Sequence, residues 1–355
     1  MTRLDWIFAL VSACLLLSSA SAQSAVSYKI VTASERGTYI EIGRDLARFV
    51  APEADIELEV LPSAGSAENV HRLRLEPGVK FGLVQSDVYQ AFLDQAASGN
   101  ADARNLIRPL RVVLPLYHEE IYFIVRSDAD LDQIHQIRDL RINVGPIGSG
   151  TALSASTLYR QMFERPLPES QTSHLTNEAA LASLVTDKAI DVVVIVAGQP
   201  AKLLVDMKPE ARTHIKLLSL DTSRPESKAA LKTYFPAVVR ARNYPNLLTE
   251  DVPTFSVKAL LVTYDYSLET TLRHLERFAR SLCDNFSRMQ IDGHPKWREV
   301  ALAMPVLGRG WLYSPPIARQ LQHCIGEEQP SSTPIFRPRV IPNCSQQNRL
   351  LGLCR

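Results

Sequence analysis

From residue 28 onward, short apolar runs rich in Val, Ile, Tyr and Phe alternate with stretches whose apolar positions recur three and four apart. The first kind of pattern marks strands and the second marks amphipathic helices. A strand is expected over 28–32, then a polar loop over 33–38 and a helix carrying Ile42, Leu46, Phe49 and Val50 on one face up to Pro52. The same reading gives a strand over 56–60, a helix over 66–75, a strand over 81–84, a helix over 87–97 and a closing strand over 112–116. A second set begins with strands over 121–125 and 142–144. Helices over 151–163 and 178–186, a strand over 192–196, a helix over 200–207 and a strand over 215–218 follow. After a polar, proline-containing stretch, a strand over 257–263 precedes a long helix from 268 to about 285.

This alternation is the α/β pattern of a sheet covered by helices. The last helices have no second sheet of their own, so the economical path crosses from one α/β unit to the other near Ile121 and returns near Val257. The expected division is lobe I over 23–120 plus 257–326, lobe II over 121–256, and an irregular extension over 327–355 marked by Pro330, Pro334, Pro338 and Pro342. Two crossings make a hinge. Clefts at strand ends between such units are the usual ligand sites of open α/β sheets.

Composition changes the picture mainly by exclusion. The 355 residues leave room for two domains, and 39 Lys and Arg balance 38 Asp and Glu without a block of like charge. A nucleic-acid partner is therefore not expected, since it would need a basic face against phosphate. A single local anion site remains compatible with that balance. Arg3, an apolar run over 6–17 and the small residues Ala20, Ser21 and Ala22 read as a signal peptide over 1–22, cleaved after Ala22. That places the mature protein outside the cytoplasm, in the periplasm; a lipoprotein box ending at Cys14 is the competing reading. Four cysteines then remain, Cys283, Cys324, Cys344 and Cys354, an even number suited to two disulfides in an oxidising compartment. Of the three pairings, Cys283 with Cys324 and Cys344 with Cys354 is preferred, because the latter pair would staple a short tail with little core of its own. No Cys-x-x-Cys spacing occurs, which disfavours redox catalysis and zinc.

Three strand-to-helix junctions carry the candidate chemistry. Gly145-Pro146-Ile147-Gly148-Ser149-Gly150-Thr151 follows a strand and opens a helix, where free backbone N–H groups and the positive helix end can hold a carboxylate or phosphate. Its plainer reading is a tight turn with Ser149 or Thr151 as an N-cap. It is not a nucleotide P-loop, since Thr151 stands where that motif has lysine. The second junction, 62–69, offers Ser66 and Asn69, and the third offers Gln85, Ser86 and Asp87; ordinary capping would also explain both. Each of the three lies at the C-terminal end of an expected strand, which is where open sheets bind ligands.

Taken in order, residues 32–39, Ala64-Gly65-Ser66 with Glu68-Asn69, residues 83–88, residues 143–151 and Ala197-Gly198-Gln199-Pro200 resemble the successive motifs of the TAXI-type solute receptors of tripartite (TRAP) transporters. The resemblance covers roughly 28–325. It implies a periplasmic-binding-protein fold of two α/β lobes joined by a two-crossing hinge, with a small anionic ligand such as an amino acid or carboxylate. It also implies delivery to an integral-membrane TRAP permease subunit. Carried over position by position, the ligand-binding residues are Ser34, Tyr39, Ser66, Asn69, Gln85, Ser86, Asp87, Gly148, Ser149, Gly150 and Thr151, with Gln199 from the far lobe. Two departures stand out: Glu35 and Arg36 occupy a loop that is glycine-rich in the family, and Ile40 replaces a second aromatic after Tyr39. The ligand can therefore differ from the family's common ones, and Arg36 could itself pair with an anion. No cofactor is expected, and the receptor is expected to act as a monomer. A receptor that presents its ligand to a membrane sensor is the alternative within this class. The enzyme alternative, an exported hydrolase, lacks a Gly-x-Ser-x-Gly elbow. His118 beside Glu119 and Glu120 is its one suggestive grouping, and a half-exposed histidine near the hinge explains that equally.

Overall fold

The computed structural model describes residues 25–35, 37–308 and 310–327. The expected signal segment with Cys14, the residue Arg36, the cysteines Cys344 and Cys354, and all but the first residue of the 327–355 extension lie outside the described residues. The strands are β1 (Val26–Val31), β2 (Ile56–Leu61), β3 (Val79–Gln85), β4 (Leu110–Arg126), β5 (Ile142–Asn143), β6 (Thr172–Ser173), β7 (Val192–Ala197), β8 (Ile215–Leu217), β9 (Phe235–Val239) and β10 (Val252–Tyr264). They form one sheet in the order β2-β1-β3-β10-β4-β7-β5-β6, with β8 on β4 and β9 on β10. The outer strands run parallel to their neighbours, β1 with β2 and β3 on one side and β5 with β6 and β7 on the other. At the centre β4 and β10 run antiparallel to each other and to β7 and β3. The fold class is thus mixed α/β, a sheet with helices on both faces.

β4 is the element that organises the molecule. Its 17 residues are nearly all buried, and at about 3.3 Å per residue such a strand is on the order of 55 Å long. Its first half packs Val112, Val113 and Leu114 into two apolar clusters, one on each face of the sheet. Its second half packs Ile121 and Phe123 into a third cluster and Tyr122 and Ile124 into a fourth. β10 does the same in reverse, with Phe255 and Val257 in the third cluster and Leu260 and Leu261 in the first pair. A strand covered on both faces loses the polar alternation of a half-exposed one and reads as a continuous apolar run. The sequence pattern nevertheless breaks β4 between 116 and 121, because Tyr117, His118, Glu119 and Glu120 look like a polar connection; in the fold they continue the strand.

Among the described residues eleven α-helices accompany the sheet: α1 (Thr38–Asp45), α2 (Ser66–Leu75), α3 (Val88–Ala97), α4 (Ala101–Ile107), α5 (Gly150–Phe163), α6 (Asn177–Val185), α7 (Lys202–Val205), α8 (Pro225–Ala230), α9 (Glu269–Asp284), α10 (Phe286–Asp292) and α11 (Pro315–Glu327). α4, α8, α10, α11, β6 and β9 are absent from the pattern-based reading. β9 is Phe-Pro-Ala-Val-Val on the sheet margin, pairing only with β10; Pro236 is tolerated there because an edge strand need not donate from every residue. α9 and α11 return to the first half and pack Leu275, Phe278, Leu282, Ile317 and Leu321 into its core. Cys283 of α9 is disulfide-bonded to Cys324 of α11, closing a separation of 41 residues.

Candidate functional site

The two halves meet where the three junctions converge. α2 starts after Gly65, whose φ of +132° is open to glycine and strained for other residues. The first residue of α2, Ser66, accepts a hydrogen bond on Oγ from the Gln85 N–H at the end of β3, 3.0 Å away. The Gln85 carboxamide points across the seam, where its Oε1 accepts from Ser154 Oγ of α5 at 3.3 Å. Opposite lies the start of α5, with Ser149 as its N-cap, Oγ accepting from the Ala152 N–H at 3.0 Å. The approach is close enough that a Cβ on Gly150 would overlap the Gln85 carboxamide, and a Cβ on Gly65 would stand 2.9 Å from the Gly150 nitrogen. Both positions need glycine for contact between the halves.

A second link crosses the seam at Asp87. Tyr234, which follows α8, donates its hydroxyl to Asp87 Oδ2 at 2.9 Å and also lies 3.0 Å from the Ser154 carbonyl. Asp87 is fully buried, and its other oxygen, Oδ1, has no hydrogen-bond partner among the described residues. Burial pushes its carboxyl up to about 6, against the lowering effect of Ser154 and Tyr234. Leu153 of α5 completes the seam by joining the apolar cluster of the opposite half, with Val70, Leu73, Val88 and Phe92.

Behind Gln85 the polar run of β4 forms the floor. Tyr39 donates to Glu119 Oε2 at 2.7 Å. Both side chains are buried. Burial, with Glu120 adding to it, pushes the Glu119 carboxyl up to about 7, although Tyr39, Gln85 and Lys296 pull the other way. Glu120 is raised by burial too, and its Oε2 and Oε1 accept from the Gln199 N–H at 2.9 Å and from Gln199 Nε2 at 2.8 Å. Lys296 is buried beside them, its stem against Gly198 and its Nζ 2.7 Å from Glu299 Oε2. Tyr117 has a buried hydroxyl without a partner among the described residues.

The expected ligand residues are thus placed unequally. Tyr39, Ser66, Gln85, Asp87, Ser149 and Gly150 come together at the seam and its floor. Asn69 lies one turn away, fully buried, with Nδ2 donating to the Thr32 and Leu83 carbonyls at 2.5 and 2.7 Å and Oδ1 accepting from Ser63 Oγ at 2.7 Å. Those bonds make it a pin between β1, β3 and α2. Ser86 accepts from the Lys258 N–H at 3.1 Å, tying β3 to β10. Thr151 Oγ1 accepts from the Val196 N–H at 3.3 Å, and Gln199 holds Glu120 and the Arg240 N–H inside the second half. Ser34 is exposed on the loop before α1. Gly148 and Ser149 also line a groove of about 290 Å³ together with Ala67, Ala91, Arg160 and His174.

Four contributors were not singled out as ligand residues from the sequence: Glu119, Ser154, Tyr234 and Lys296. Glu119 sat in a run that read as a hinge histidine with acidic neighbours, and Tyr234 in a stretch without periodicity. Ser154 does carry a signal, a hydroxyl on the apolar face of α5 between Leu153 and Ala155, where a polar group needs a partner.

Residues 30–302 match the model of the NMT1-like family. Solved structures resemble the fold at low identity. One is PhnD1 from Prochlorococcus marinus in complex with methylphosphonate, at 12% identity, covering 77% of this chain and 88% of that one with a TM-score of 0.45. A TctC solute-binding protein from Polaromonas is 16% identical over 86% of this chain and 98% of its own, with a TM-score of 0.38. The Candida albicans CA3427 gene product, described as having the generic periplasmic binding protein fold, is 14% identical over 84% and 80% with a TM-score of 0.42. Likeness at this level carries no argument about a ligand. The fold class stands on the strand order and the four apolar clusters.

Proposed function

The chain belongs to the NMT1-like family, and from that premise we propose that it is an extracytoplasmic receptor that closes two hinged lobes around a small metabolite and hands it to a membrane permease. The observation that carries the reading is the convergence of Ser66, Gln85, Asp87, Gly150, Ser154 and Tyr234, drawn from both halves of the sheet, on one seam. Lobes I and II, divided at 120/121 and 256/257, would move about the two long strands. Among the described residues no helix is long and apolar enough to cross a membrane. The resemblance of the junctions to TAXI receptors points to a TRAP-type permease and to a periplasmic monomer freed of its signal segment at Ala22.

For the ligand we propose an amino acid or a small carboxylate. α2 and α5 both open at the seam, where Gly65 and the Gly150 nitrogen approach each other, and helix starts favour a carboxylate. Asp87 and Glu119 can donate to that carboxylate when protonated, or accept an ammonium group when ionised. Tyr39, Ser66, Gln85, Asp87, Ser149 and Gly150 would contact it directly. Asn69, Ser86, Thr151 and Gln199 would hold the frame, and Ser34 and Gly148 would lie at its margin. A thermal-shift screen of the exported chain against amino acids and mono- and dicarboxylates tests the reading, since a ligand of the folded state raises the melting temperature by linkage. A screen at saturating concentrations in which no such compound shifts the transition refutes this ligand class.

A further inference from the structure

Asp87 and Glu119 are buried at the seam and its floor, and among the described residues no lysine, arginine or histidine is hydrogen-bonded to either. The Asp87 carboxyl meets Tyr234 and Ser154 from the opposite half, with Tyr39 nearby, and one of its oxygens has no partner among the described residues. Glu119 meets Tyr39 from α1 and Gln85 from β3, with Tyr117 and Glu120 on its own strand. The charged groups around this floor are few. Lys296 is engaged by Glu299, His118 turns Nδ1 to Ser256 Oγ at 3.1 Å, Lys258 lies on β10 beside His118, and Asp94 of α3 faces Tyr234.

A carboxylate shut away from water is strongly disfavoured unless a cation pairs with it, whereas the neutral acid is tolerated and can donate its proton; Lys296 offsets only part of this at Glu119. The enclosure depends on contact between the halves. Tyr234 and Ser154 reach Asp87 only across the seam, and Gly150 and Ser154 pack on the Gln85 carboxamide, which neighbours Glu119. Parting the lobes would expose Asp87 and the Gln85–Glu119 floor to water, where both acids return toward their ordinary carboxylate behaviour.

We propose that closing the cleft takes up protons on Asp87 and Glu119, so that the closed form gains on the open form as the surroundings acidify. The inference rests on the reading of the seam as a cleft that opens. It adds a condition on that motion: a receptor in a proton-rich compartment is biased shut, and one meeting a more alkaline surface is biased open. The direction agrees with the upward push that burial gives both carboxyls. Each proton taken up changes the closed-to-open ratio by up to about tenfold per pH step between the open-state and closed-state values.

The test uses the ligand-free exported chain and small-angle X-ray scattering from pH 5.0 to 8.5, with Asp87→Asn, Glu119→Gln and the double variant alongside and circular dichroism confirming that each is folded. The wild type is expected to contract as pH falls, each single variant to contract less, and the double variant to keep one radius of gyration throughout. A wild type whose radius does not change over this range overturns the inference. So does a double variant that contracts as the wild type does. The thermal-shift screen, run at pH 5.5, judges the receptor reading separately, because a ligand can be bound by a cleft whose closure is indifferent to protons.

Discussion

Tyr234→Phe removes one hydroxyl from the seam and leaves the ring in its pocket against Phe255, 6.2 Å between centroids. In the wild type that hydroxyl lies 2.9 Å from Asp87 Oδ2 and 3.0 Å from the Ser154 carbonyl. Asp87 Oδ1 already lacks a partner among the described residues, so the variant leaves a buried carboxyl without its tyrosine donor. A hydrogen bond to a charged group is worth about 1.5–3 kcal/mol and a neutral one about 0.5–1.5. With the Asp87 carboxyl held at about 6, the loss at pH 8 is that of the charged bond, roughly 2 kcal/mol. At pH 5, where the acid is protonated, it falls to roughly 1 kcal/mol. On the scale of a few degrees per kcal/mol for large domains, the melting temperature drops by about 4 °C at pH 8 and about 2 °C at pH 5. Differential scanning calorimetry of both proteins at the two pH values decides it. An equal loss at both, or none at pH 8, would show that Tyr234 does not support an ionisable Asp87 across the seam.

Three further outcomes follow from the geometry. The Glu119 carboxyl is held at about 7 instead of 4.5, so the folded protein binds this proton more tightly than the unfolded chain. Its stability therefore declines as pH rises from about 4.5 to 7. Glu119→Gln should remove its share of that decline, leaving the share from Asp87, and gain about 3 kcal/mol at pH 8, at about 1.4 kcal/mol per pH step, and urea titrations of equal stability at pH 8 would refute this. Replacing Cys283 and Cys324 by serine together should cost about 4 kcal/mol by the chain-entropy estimate for their separation of 41 residues, read as a lower urea midpoint; an unchanged midpoint means the bridge does not constrain the unfolded chain. Gly150→Val presses a branched side chain into Gln85 and should hold the halves apart, so that thermal-shift hits of the wild type disappear while far-ultraviolet circular dichroism is retained; retained hits remove the start of α5 from the site.

Most of the fold was readable because its strands sit in fully covered positions and announce themselves as apolar runs. Helix α2 appears over the residues its spacing predicts, and α5 begins one residue early, at Gly150, because Ser149 caps it. What escaped was governed by tertiary contact. The polar letters of 118–120 interrupt β4 on paper, yet Tyr39, Gln199 and Lys296 supply partners that let two glutamates stay inside a strand. Helix α8 and strand β9 have too little periodicity to be seen, so Tyr234 came from a stretch read as irregular. The junction residues were found from the rule that ligands gather at strand ends, but that rule does not say which hydroxyls face the seam and which tie strands together. Ser66 and Ser86 look alike in sequence, and only the fold shows one facing Gln85 and the other fastened to Lys258.

The two long strands that join the halves are bonded to each other along most of their length, from Phe255 opposite Ile121 to Tyr264 opposite Leu110. A pair of separate tethers would let the halves wander and swivel freely. A laminated ribbon behaves as a leaf spring, stiff along its plane and compliant only to bending and twisting. In the proposed opening of the lobes, separation would therefore follow a narrow arc, and each return would bring the same groups back into register at little entropic cost.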